Sequence, residues 1–141
     1  MDLENKVSLV TGAGQGIGAA IAKTLAEKGS KVILVDLNQD SSEKVAEEIN
    51  NKFSNSAYSF KADLTKSEEI EDMLKFGVSK FSKINCICNN AASSQGIGPV
   101  ENYSLEDVQT TLDLTFTCLW KCLQAEIKFL KKQDISVSVV N

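Results

Sequence analysis

The stretch that most narrows what this chain can fold into is Val7-Ser8-Leu9-Val10-Thr11-Gly12-Ala13-Gly14-Gln15-Gly16-Ile17-Gly18-Ala19-Ala20-Ile21. It is an apolar β run that breaks into glycines at every second position and then opens a helix. Without Cβ atoms, such a backbone turns tightly, brings its N–H groups against a bound group and lets the helix lie close to the strand. The first turn of that helix carries unpaired N–H donors and the positive end of the macrodipole, which makes the loop an anion site. A glycine pattern alone suits several folds, so the rest of the chain decides its meaning.

The 141 residues suit one domain, spanning 1–141, with a single core of moderate size. A net charge of -4 gives no electrostatic footprint for nucleic acid or an anionic membrane. The start, Met1-Asp2-Leu3-Glu4-Asn5-Lys6, has no basic segment followed by an apolar one, and no apolar run is long enough to span a bilayer. A cytoplasmic protein is expected. Cys86 and Cys88 share a strand, and Cys118 and Cys122 lie one helical turn apart. That spacing is unlike usual zinc sites, so all four are expected to be small core residues, with no metal bound. Histidine is absent, which removes Ser-His and Cys-His nucleophiles.

Strand and helix signals alternate along the chain. Ile17, Ile21, Leu25 and the alanines between them repeat at helical spacing up to Gly29, and Lys31-Val32-Ile33-Leu34-Val35 reads as a strand buried on both faces. Asp40 with Glu43 predicts a capping box for a helix through Ile49, and Thr65 with Glu68 predicts another for a helix with Ile70, Met73, Leu74, Val78 and Phe81 inside. Strands are expected around Tyr58-Ser59-Phe60, over 84–88 and over 137–141. Ser104 with Asp107 caps what reads as one long helix to about Lys131, with Leu105, Val108, Leu112, Phe116, Leu119, Leu123, Ile127 and Leu130 along one face. This rhythm predicts an α/β fold with a doubly wound parallel sheet of about five strands, ordered 3-2-1-4-5 and incomplete at the C-terminus.

Ligands of such sheets bind beyond the carboxyl ends of the strands, where the order reverses. Candidate contacts there are Gly12, Gly14, Gln15, Gly16, Ile17 and Gly18 of the loop, Asp36 with Leu37, Asp63 with Leu64, and Asn90 with Ala91. A carboxylate at Asp36 suits both adenosine ribose hydroxyls of NAD and would repel a 2′-phosphate. Asp63 is placed to accept an adenine amino group, or simply to form a turn. The same acids would suit S-adenosylmethionine, but methyltransferases usually carry an acid just before the glycines, where this chain has Leu9-Val10-Thr11.

Taken together these residues resemble the short-chain dehydrogenase/reductases. Thr11-Gly12-Ala13-Gly14-Gln15-Gly16-Ile17-Gly18 is similar to that family's T-G-x-x-x-G-x-G, Asp36 to its NAD-selecting acid, Asp63-Leu64 to its adenine pair and Asn89-Asn90-Ala91 to the start of its N-N-A-G. The resemblance implies a Rossmann-type fold, NAD as cofactor and hydride exchange with an alcohol or ketone. It also implies a homodimer contact through the long helix around Trp120, where apolar surface should exceed what the sheet covers.

Three positions depart from the family pattern. Ala92 replaces the last motif glycine, Cys118 stands where a glycine often lies, and Thr115 aligns with the asparagine of the catalytic tetrad. The family's serine and Tyr-x-x-x-Lys have no counterpart, since neither Tyr58 nor Tyr103 has a lysine four residues on. The sequence thus reads as the cofactor half of an NAD-dependent oxidoreductase, an incomplete gene model, a fragment or a truncated product. The 141 residues alone are expected to show no turnover. The alternative reading is a non-catalytic dinucleotide-binding or dimer-forming module.

Overall fold

Neighbouring side chains of a strand point to opposite faces, and here both faces are apolar. In the structure, a computed structural model that describes residues 3–92, 98–133 and 136–141, this alternation sorts the core into two layers. Val10, Val32 and Leu34 meet α1 (Gly16–Glu27) and α2 (Gln39–Lys52) on one side. Leu9, Ile33 and Val35 meet α3 (Ser67–Phe81) and α5 (Cys118–Leu130) on the other. The strands are β1 (Val7–Thr11), β2 (Lys31–Asp36), β3 (Ala57–Lys61), β4 (Cys86–Cys88) and β5 (Ser138–Val140). They pair in parallel in the order β3-β2-β1-β4-β5, as the alternation of elements predicts. Thr11 lies opposite Val35, so β1 and β2 end together and the order reverses between β1 and β4. The Rossmann-like sheet therefore opens a crevice above the carboxyl end of β1.

The alanines of α1, rather than Ile17, press on the sheet. Ala19, Ala22 and Ala26 are buried, whereas Ile17 in the first turn is exposed beyond the sheet edge. Two of the expected capping boxes do not form. Helix α2 is capped by Asn38, whose Oδ1 accepts from the Ser41 N–H at 3.2 Å, because the helix opens one residue before Asp40. Helix α3 opens at Ser67, which leaves Thr65 outside it. Thr65 instead donates its N–H and hydroxyl to Asp63 Oδ1, at 3.0 and 2.7 Å. Gly77 has a packing reason, since a Cβ there would lie 3.0 Å from Ile84 Cδ1, so its absence lets α3 approach β4.

The Ser104–Asp107 box does form at α4 (Leu105–Leu112). The single long helix does not. A π-helical turn over Asp113–Thr117 separates α4 from α5, and one extra residue per turn rotates the following face by about 100°. The expected apolar stripe faces outward over much of its length: Leu105, Val108 and Leu112 are exposed already in α4, ahead of the π turn, and Phe116, Ile127 and Trp120, the last 62% exposed, lie in or beyond it. The buried line of α5 is Cys118, Cys122 and Glu126. No helix among the described residues is long and apolar enough to cross a membrane.

Candidate functional site

The glycine loop is held by the ends of β1 and β4. Thr11 Oγ1 accepts the backbone N–H groups of Asn90 and Ala91, each at 3.1 Å, and the Asn90 side-chain amide donates to the carbonyls of Thr11 at 3.1 Å and Gly12 at 3.3 Å. This closeness requires glycine. At Gly12 the backbone φ is +63° and a Cβ would lie 2.9 Å from Ala91 Cα. At Gly18 a Cβ would lie 2.6 Å from Asn90 Nδ2 and collide with the Gly12 carbonyl oxygen.

Helix α1 starts with its donors free for a ligand. Its N-cap residue, Gln15, gives no side-chain hydrogen bond, and its first turn holds no acid. By contrast α2 and α4 are capped by Asn38 and Ser104, and α3 has Glu68 and Glu69 in its first turn. An anion such as a phosphate would complete the α1 terminus.

Asp36 closes the loop from the β2 side. Its Oδ2 accepts the Gly14 N–H at 2.8 Å and its Oδ1 accepts the Asn38 N–H at 2.9 Å, so the carboxylate is locked at the rim. Between these groups lies a cleft of about 640 Å³. It is lined by Gly12, Gln15, Gly16, Ile17, Gly18, Asp36, Leu37, Asp63, Leu64, Asn90 and Ala91, eleven of the twelve candidate contacts. Gly14 is the exception. It lines the neighbouring hollow between α1 and α2, with Ser41 and Lys44, because its N–H is turned toward Asp36.

Asp63 lines the cleft and also serves as a turn residue. The Thr65 hydroxyl and N–H bonds hold its carboxyl below the ordinary carboxylate range. Its own N–H donates to Glu69 Oε2 at 2.7 Å.

Val35, Ala62, Ala92, Leu114 and Cys118, which are not among the twelve candidate contacts, also line the cleft. Val35 and Ala62 sit immediately before the two strand-end acids, a position that was available as a signal. Leu114 and Cys118 are brought in by the π turn, which no local pattern announced. Burial pushes the Cys118 thiol up, so it remains protonated at neutral pH and is no nucleophile. Thr115 is exposed in the same turn and, like Tyr58 and Tyr103, is not a lining residue. Ser93 and Ser94, which follow Ala92 in the sequence, lie outside the described residues.

Glycine at every second position of the loop, a helix start without a side-chain cap and a carboxylate held by two backbone N–H groups surround one cleft. Comparison with known proteins gives the family. The short chain dehydrogenase family profile matches residues 6–141. An uncharacterised oxidoreductase of Staphylococcus epidermidis is 34% identical over 132 residues, covering 94% of this chain and 55% of that protein. Cyclohexanol dehydrogenase of an Acinetobacter species is 31% identical over 123 residues, covering 87% and 49%. The crystal structure of a 3-ketoacyl-(acyl-carrier-protein) reductase from Brucella melitensis complexed with NADH superposes with a TM-score of 0.84 at 30% identity, over 93% of this chain and 52% of the reductase. The chain spans about half the length of the curated relatives it matches. From its glycine loop to β5, this chain belongs to the short-chain dehydrogenase/reductase family.

Proposed function

We propose that residues 1–141 form the NAD(H)-binding half of an oxidoreductase that exchanges hydride with an alcohol or ketone. The observation that carries this is Asp36, whose carboxylate is fixed by two backbone N–H groups at the rim of the cleft. Two bonds leave it further lone pairs for ribose hydroxyls, and its charge opposes a 2′-phosphate. Bound nicotinamide would supply the hydride chemistry. The chain's own residues do the holding: the first turn of α1 meets the pyrophosphate, Leu37 and Leu64 flank the adenine, and Asn90 with Ala91 floors the nicotinamide end.

The family assignment sets aside the methyltransferase alternative. One observation favours the non-catalytic reading, namely that Thr115 stands at the tetrad asparagine's position, yet lies outside the cleft lining. The test is titration of the full-length protein with NADH and with NADPH by fluorescence, followed by turnover with a panel of secondary alcohols and ketones. Tighter NADH binding with turnover supports the proposal, NADH binding without turnover supports a binding module, and equal affinity for the two cofactors refutes the role of Asp36. The outward apolar face carrying Trp120 and Phe116 is proposed to meet a second copy of the chain, since a two-fold contact needs one self-complementary patch.

A further inference from the structure

Away from the cleft, the buried face of α5 holds a carboxyl group that the cofactor site does not use. Glu126 is 0% exposed. Its Oε2 accepts from Asn89 Nδ2 at 3.1 Å, and among the described residues its Oε1 has no hydrogen-bond partner and no lysine pairs with it. Asn89 is in the complementary state. Its two amide hydrogens go to Glu126 and to Asn141 Oδ1 at 3.0 Å, while its buried Oδ1 has no donor among the described residues. Two adjacent side chains thus each have one orphaned oxygen, and both oxygens are buried acceptors when the carboxyl is ionised. One proton repairs both, because a carboxylic acid and a primary amide match donor to acceptor across a two-bond ring.

We infer that in mildly acidic solution Glu126 of the folded protein is a neutral carboxylic acid, donating its O–H to Asn89 Oδ1, and that this ring clasps α5 to the ends of β4 and β5 until the proton is lost as the pH rises. The groups around it are neutral. On its own helix the nearest titratable neighbour is Cys122, whose thiol burial pushes up to about 12. The β4 thiols Cys86 and Cys88 are likewise pushed up, and α3 contributes Ile70, Met73 and Leu74 to the shared core. The charged side chains of α3 that form ion pairs, Glu69, Glu71, Asp72 and Lys75, do so in exposed pairs. Lys121 of α5 reaches away to the Thr65 carbonyl. Burial accordingly raises the Glu126 carboxyl to about 6, with the Asn89 N–H pulling in the other direction.

The test uses isotope-edited infrared and carboxyl-carbon NMR of the full-length protein through a pH titration. A neutral-carboxyl band absent from Glu126→Gln, titrating at or above about 6 and shifted by Asn89→Leu, is the expected result. Titration at the ordinary 4.5, or a band that Asn89→Leu leaves in place, overturns the inference. Thermal unfolding supplies a second readout that does not need the Asn89 variant to fold. Between those two values the wild-type folding constant should fall about tenfold per pH unit relative to Glu126→Gln, whose amide keeps the ring at every pH. Parallel wild-type and Glu126→Gln profiles would overturn it.

Discussion

Replacing Gly18 by alanine tests the loop geometry most directly. The added methyl would sit 2.6 Å from Asn90 Nδ2 and 2.8 Å from the Gly12 carbonyl carbon, and closer still to that carbonyl's oxygen. Neither backbone atom can swing aside as a flexible side chain would. Overpacking of this kind costs about 1–3 kcal/mol. Displacing Asn90 also weakens its two bonds to the Thr11 and Gly12 carbonyls, worth about 1 kcal/mol each. Alanine returns roughly 0.5–1 kcal/mol of helix preference in α1. The net loss is about 2–3 kcal/mol, or roughly 4–12 °C in Tm for a domain of about 150–250 residues. Cofactor affinity should fall at least about tenfold, since a loop shift of about 1 Å misaligns the donors facing the pyrophosphate.

Gly14→Ala provides the internal comparison. Its methyl meets the rotatable Ser41 hydroxyl and lies 2.9 Å from Asp36 Oδ2, so it should cost less stability while loosening the ribose acid. The assay is thermal unfolding plus NADH fluorescence titration of the full-length variants. A Gly18→Ala protein with wild-type Tm and wild-type NADH affinity would refute the reasoning.

Other outcomes follow from the same structure. Asp36→Ala should shrink a cofactor preference of roughly 10²-fold, about 3 kcal/mol, mainly by weakening NADH, as read from the two dissociation constants; an unchanged ratio would remove Asp36 from the site. Asp63 has a depressed carboxyl pKa, so its contribution is present above its ordinary 3.8 and is lost as pH falls through the lower folded value. Asp63→Asn should therefore flatten the acid limb of the stability profile, and an unaltered limb measured by thermal unfolding would count against the Thr65 bonds. Phe116→Asp with Trp120→Asp should shift sedimentation of the full-length protein toward monomer, whereas an unchanged assembly state would place the contact elsewhere.

Much of the site was legible because its parts are local in sequence. The loop, Asp36, Asp63 and Asn90 each lie at the end of a strand or within two residues of it, and a parallel sheet carries every strand's carboxyl end to one edge. Gly14 lines the neighbouring hollow because its N–H is directed at Asp36, twenty-two residues away, which no local pattern could show. Periodicity likewise marked a helix between Ser104 and Lys131 but could not reveal the π turn that rotates its second half.

What the sequence determined by itself is therefore the order and type of elements: continuous apolar strands, helices with apolar residues at helical spacing, and glycines where backbones must touch. Tertiary structure decided which face of each helix is covered. It sent Phe116 and Trp120 outward, brought Leu114 and Cys118 into the cleft, and set Glu126 beside Asn89. The physical reason is that hydrophobic patterning specifies a buried stripe only while helical phase is continuous. One added residue in a turn changes the partner of every side chain beyond it.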